Sequence, residues 1–188
     1  MCIVEEILND PAKGTRRLVA EYRNRLFQVA YRLCFNAHDA EDLMFRTFHR
    51  AVERISTCQS QENIFPWLYS ILVNFWRMDL RRKMPNALDL TEEIPDRPDE
   101  RPDAGTALEA AEDVYAVRAA LRALSTPFRE VVVFRYFEDL SIPEIARILN
   151  LSEGTVKSRL NRAKWAMRRY LTGTFHFEGA STDGGEIR

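Results

Sequence analysis

The chain has 188 residues, 46% of them apolar and 29% charged, and a formal net charge of −1, an ordinary globular composition with room for one domain or two small ones. Cys2, Cys34 and Cys58 form no C-x-x-C pair, which argues against a disulfide framework or a cysteine zinc site. No apolar run approaches the ~18 residues that suggest a membrane span.

The near-zero net charge, taken alone, argues against a nucleic-acid partner, but the arrangement reverses that reading. Residues 1–83 carry 13 basic and 10 acidic groups, residues 84–113 carry 2 and 10, and residues 114–172 carry 11 and 5. Two basic blocks flank an acidic one, which is a division of labour along the chain. The N-terminus, MCIVEEILND, is acidic and shows no signal-peptide pattern. The expected compartment is therefore the cytoplasm, without membrane insertion of this chain.

Leu18, Tyr22, Leu26, Val29 and Leu33 recur at helical spacing and predict a first helix with one apolar stripe. A second helix is predicted from about His38 to Ile55, with Leu43, Phe48, Ala51 and Ile55 inward. STCQSQEN, Ser56 to Asn63, reads as a polar loop that includes Cys58. The third helix runs from Phe65 to Lys83, with Pro66 tolerated in its first turn. There Trp67, Leu68, Ile71 and Phe75 are assigned to the core. Ser70, Asn74, Arg77 and Arg81 form a polar stripe, which Arg82 and Lys83 extend. Tyr69 and Trp76 flank the boundary between these faces. Cations beside rings suit single-stranded DNA, whose unpaired bases stack on aromatic surfaces; the terminal cations also complement the helix dipole.

From Met84 to Ala104, four prolines and seven acidic residues leave too few apolar side chains to pack. Residues 84–106 are read as a linker. Beyond it come helices at about Ala107–Leu124 and Thr126–Phe137, and then SIPEIARILNLSEGTVKSRLNRAKWAMRRYL, Ser141 to Leu171. Ser141 and Glu144 have capping-box spacing, and Ile145, Ile148 and Leu149 share one face. Asn150-Leu151 ends that helix and Ser152 caps the next. Val156, Leu160, Ala163 and Met167 are the buried face of the second helix, which leaves Lys157, Ser158, Asn161 and Arg162 exposed together. Six Lys/Arg and one Glu fall in residues 151–171, the pattern of a helix-turn-helix that places a basic recognition helix in the major groove. No strand-like alternation appears. The expected fold is all-α: two small helical domains, 1–83 and 107–172, joined by an acidic Pro-rich linker, with a tail from 173.

Both halves together resemble bacterial sigma factors of the extracytoplasmic-function group, over about residues 15 to 172. The motifs are AEDLMFRTFHRAVE (40–53), FPWLYSILVN (65–74), DLRRK (79–83) and LSTPFREVVVFRYFEDLSIPEIARILNLSEGTVKSRLNRA (124–163). The resemblance implies a first domain that docks on the polymerase clamp through Asp39, Asp42, Leu43 and Phe48. It implies that the 56–63 loop, closed by Asn63, captures a flipped minus-ten base. Asn74, Arg77 and Arg81, with Arg82 and Lys83, then follow the non-template strand. Lys157, Ser158, Asn161 and Arg162 match the minus-thirty-five groove positions, with Thr155 and Arg159 nearer phosphates. Arg or Lys suits guanine acceptors and Asn bridges adenine. Phe45 and Arg46 depart from the family, which usually carries polar and acidic residues there. The implied partners are core RNA polymerase, promoter DNA and an anti-sigma factor.

Two other readings compete. A response-regulator type of transcription regulator shares the terminal helix-turn-helix, but it has no use for the 65–83 helix or the clamp motif. An enzyme is not supported: His38, His49 and His176 lack metal-ligand spacing, and neither a Gly-rich phosphate loop nor a nucleophile constellation appears. No metal or cofactor is expected.

Overall fold

The computed structural model describes residues 2–58, 63–83 and 109–175, with side chains for residues 114–173 in the last segment. The predicted linker, most of the polar loop and most of the tail lie outside the described residues. All regular structure among the described residues is helical.

A short helix that the periodicity did not reveal opens the fold. α1 (Ile3–Asn9) is capped by Cys2, whose Sγ accepts the Glu5 N–H while the Glu5 carboxylate accepts the Cys2 N–H. Asp10 ends it and at once caps α2 (Pro11–Cys34), accepting the Lys13 N–H at 3.0 Å. The two helices touch where α2 has no side chain: a Cβ at Gly14 would stand 2.5 Å from the Ile7 backbone nitrogen. Buried Glu6 bonds Arg17 at 2.7 Å and Lys13 at 3.1 Å. Both donors hold its carboxyl below the usual 4.5.

α2 buries Leu18, Leu26, Val29 and Leu33, four of the five stripe residues, while Tyr22 stays partly exposed. It ends at Phe35 in the left-handed conformation, and Asn36 caps α3 (Ala37–Glu53) through the Asp39 N–H. A 3-10 turn at Ile55–Thr57 follows. Cys58 is buried in the apolar cluster, not displayed on a polar loop, because α1 packs on this turn. α4 (Phe65–Lys83) has the predicted bounds.

The second group is α5 (Glu109–Ala123), α6 (Thr126–Val132), α7 (Ile142–Leu149) and α8 (Glu153–Phe175). A π-helical turn, Val133–Phe137, replaces the last turns of the helix expected there. At α7 the predicted capping box forms, Pro143 sits in the first turn and Asn150 takes the left-handed position. Ser152 then caps α8, accepting the Thr155 N–H at 3.1 Å. Burying Ile145, Ile148, Leu149, Val156 and Leu160 holds the pair of helices together. Each such side chain is worth about 1.5–3 kcal/mol when fully buried.

The two groups also pack on each other. α7 lies against α4, and α6 with the π turn lies against α2, so one apolar cluster spans both. This shifts the face that α4 buries. Its core residues are Leu68, Tyr69, Leu72, Val73 and Trp76, while Trp67, Ile71 and Phe75 are only partly covered. Tyr69 is fully buried and Trp76 is 4% exposed, so neither ring offers a stacking surface in this arrangement. α3 covers one side of α4 and the second domain covers the other.

Candidate nucleic-acid interface

On α8 the four side chains expected to read bases lie on the side away from the core. Val156, Leu160, Ala163 and Ala166 are buried, and Lys157, Ser158, Asn161 and Arg162 are all exposed. Helical spacing puts these four on neighbouring turns, where a groove-inserted helix meets successive base pairs. Thr155 is half-buried at the helix start and shares a hydrogen bond with Ser152 at 2.8 Å. Arg159 differs from its neighbours. Its Nε is buried without a hydrogen-bond partner among the described residues, and burial pushes its pKa down. In this arrangement it does not project with the reading face.

Along α4, Asn74, Arg81, Arg82 and Lys83 are exposed. Lys83 bonds Asp39 at 2.7 Å, which raises its pKa and ties the end of α4 to the start of α3. Asn63 precedes the helix, its side-chain carbonyl accepting the Phe65 N–H at 3.2 Å. Arg77 is not displayed with them. Its Nε and Nη2 grip both oxygens of Glu130 at 2.6 and 2.5 Å, and Nη1 donates to the Leu149 carbonyl at 3.3 Å. Glu130 is 1% exposed and belongs to α6.

A second carboxylate of the same domain behaves alike. Glu138 accepts from Arg25 Nε at 2.8 Å, lies 4.0 Å from Arg32 and accepts a hydrogen bond from the Tyr69 hydroxyl. Burial and the Glu138 carboxylate push the Tyr69 phenol far up. For Arg25, burial works downward, but the bond to Glu138 prevails and raises its pKa. Nearby, Arg129 donates to the carbonyls of Leu33, Leu121, Arg122 and Leu124. Burial lowers its pKa to about 10. Because Leu33 lies in the last turn of α2, Arg129 fastens one domain to the C-terminal end of a helix in the other.

Sequence reasoning missed Glu130, Glu138, Arg25 and Arg129. The usable signal was Glu130 set among Phe128, Val131, Val132 and Val133: a carboxylate inside an apolar run has to find a cation when it is buried.

The clamp-motif residues divide by side. Asp42 is exposed and Asp39 half-buried, whereas Leu43 and Phe48 are 2% and 5% exposed and serve as core. The outer face of α3 instead shows Phe45, 60% exposed, beside Asp42 and His49. Arg46, the other departure, forms a bidentate bond to Asp79 at 2.7 and 3.2 Å and reaches Asp42 at 3.0 Å. Its charge is therefore absorbed within the domain.

Comparison with known proteins follows the same two-part division. The family model described as Sigma-70 region 2 matches residues 18–85, and that described as Sigma-70, region 4 matches residues 115–167. The chain is 30% identical over 184 residues to the ECF RNA polymerase sigma factor SigW of Bacillus subtilis, covering 90% of this chain and 97% of that one. It is 34% identical over 155 residues to the ECF sigma factor SigE of Mycolicibacterium smegmatis, covering 82% and 60%. Among solved structures, CnrH in complex with the cytosolic domain of CnrY superposes with a TM-score of 0.66 at 25% identity, covering 91% and 96%. The sigma factor RpoE of Bartonella quintana, solved with the anti-sigma factor NepR, gives 0.65 at 23%, covering 85% and 98%, a likeness of fold.

Proposed function

The chain belongs to the extracytoplasmic-function group of RNA polymerase sigma factors, and from that premise we propose how its two domains divide the work. As a sigma factor it directs promoter-specific transcription initiation, binding core polymerase and promoter DNA. No described helix is long and apolar enough to cross a membrane. Sigma factors are not enzymes, and the chain is read as carrying no catalytic chemistry of its own.

The first domain, 1–83, docks on polymerase through the outer face of α3, with Asp39 and Asp42 at its start and Leu43 and Phe48 setting its position from within. Asn63, Asn74, Arg77, Arg81, Arg82 and Lys83 follow the minus-ten strand. The second domain, 107–172, reads the minus-thirty-five element through Lys157, Ser158, Asn161 and Arg162, with Thr155 and Arg159 on phosphates. Residues 84–106 tether the two. The anti-sigma factor NepR, solved with RpoE, supports an anti-sigma partner for this chain as well. The observation that carries the reading is the pairing of regions 2 and 4 in one chain, in that order. A response-regulator type of regulator has no counterpart to region 2.

Each domain is small, so each grips DNA weakly alone. Core polymerase holds both in place at once and converts the second contact into an intramolecular one. Promoter affinity and run-off transcription, measured with and without core enzyme, test this. Specific transcripts and tight binding are expected only with core; equally tight duplex binding without it favours the repressor class.

A further inference from the structure

Two buried carboxylates of the second domain have no task in the function described above. Glu130 and Glu138, 1% and 7% exposed, direct their hydrogen bonds at the first domain: Glu130 at Arg77, and Glu138 at Arg25 and Tyr69. A carboxylate that takes two nitrogens of one guanidinium makes the fork that a phosphate makes. Arg25 also lies over the Phe65 ring, 3.8 Å from its centroid, and Tyr22 meets that ring edge-on at 4.5 Å. Cations interleaved with rings are the composition of a single-strand groove.

The sigma-factor reading assigned Arg77 to the melted strand and Arg159 to a phosphate from different helices in different domains. Arg77 is taken up by Glu130, and Arg159 Nε is buried without a hydrogen-bond partner among the described residues. A permanent seam gains nothing from desolvating two carboxylates, since apolar residues of like volume usually stabilise as well or better. A seam that must open gains a good deal, because separation returns every one of these charges to water or to DNA.

We propose that Glu130 and Glu138 are internal phosphate mimics, which close a strand-binding face formed by Arg77 and Arg25 until polymerase draws the two domains apart. The proposal rests on the sigma-factor reading and adds Arg25 to its DNA contacts.

The test uses the full chain without polymerase. Glu130→Gln/Glu138→Gln should enlarge the radius of gyration in X-ray scattering. It should also bind mixed-sequence single-stranded DNA of about 20 nucleotides roughly tenfold more tightly than the parent. Adding Arg25→Gln should remove most of that gain. Asp139→Asn/Glu153→Gln, which changes charge equally at exposed sites of the same domain, is the control. A gain no larger than the control's, an expansion without a gain, or a gain that Arg25→Gln leaves intact overturns the proposal. If the double variant does not fold, Tyr69→Phe removes one hydroxyl from the seam and should move radius and affinity in the same direction; no movement overturns the proposal equally. Transcription with core polymerase separates the two ideas. A parent chain that gives no specific transcripts sinks the sigma-factor reading. A parent that transcribes while the variants bind DNA as it does sinks this inference alone.

Discussion

Arg159 and Arg162 lie one helical turn apart on α8 and illustrate how much a single residue's role depends on what packs beside it. Arg162 was placed outside by periodicity alone, and so were Lys157, Ser158 and Asn161, because Val156, Leu160 and Ala163 fix which side is buried. Arg159 flanks that buried row, and tertiary packing covers its Nε, which no local pattern encodes. Asn161→Ala and Arg162→Ala should each cost about 1–3 kcal/mol at one base pair and relax minus-thirty-five preference there. Arg159→Ala should weaken all sequences alike and reduce the salt slope by about one. Randomised minus-thirty-five libraries selected with each mutant holoenzyme separate the two classes. Identical selected sequences for parent, Asn161→Ala and Arg162→Ala would show that this face does not read bases. Glu6 gives a second expectation at this scale. Its carboxyl is held below 4.5 by Arg17 and Lys13, so its contribution is full above that value and is lost as pH falls through the lower folded pKa. Urea unfolding at stepped pH should show Glu6→Gln flattening the acid limb of stability.

Among the elements, α4 and α7 were legible to within a residue or so, while α1 was not. α7 carries Ser141, Pro143 and Glu144 in the order that starts a helix, and Asn150 where one stops. α1 has seven residues, too few for periodicity to register, and its cap is a cysteine, an uncommon choice. The π turn at Val133–Phe137 was likewise hidden, since its apolar run fits a helix, a strand or a bulge equally well. What seats α1 is the missing side chain at Gly14. Backbone lies 2.5 Å from where a Cβ would be, so no flexible tip can move aside. Gly14→Ala should therefore destabilise the first domain by about 1–3 kcal/mol, the usual cost of overpacking, despite the better helix propensity of alanine. Thermal unfolding checks the sign: a raised melting temperature would mean that α1 does not dock on α2 as described. Because α1 also packs on the turn ending at Cys58, its displacement should expose that thiol to alkylation.

At the scale of the whole molecule, sequence divides the chain into two domains and structure joins them. The patterns that mark each domain are local, whereas the seam pairs residues 53 to 113 positions apart, such as Arg77 with Glu130 and Arg25 with Glu138. That separation gives Arg77 two expected effects of opposite kind. In the free chain, Arg77→Ala leaves Glu130 buried and unpaired. Breaking a buried pair from one side costs about 3–5 kcal/mol, and less here because Arg77 keeps some solvent contact. The domains should therefore separate. In the holoenzyme, where the proposal has the domains apart, the same substitution is expected to remove a strand contact. Asn74→Ala/Arg77→Ala/Arg81→Ala should then reduce promoter melting while polymerase binding stays intact, read by permanganate reactivity of unpaired thymines. Glu130→Gln opens the free chain without touching the strand path, so its holoenzyme should melt promoters as the parent does. If the triple variant also melts normally, the stripe on α4 is a solvated face whose one buried member serves only the seam.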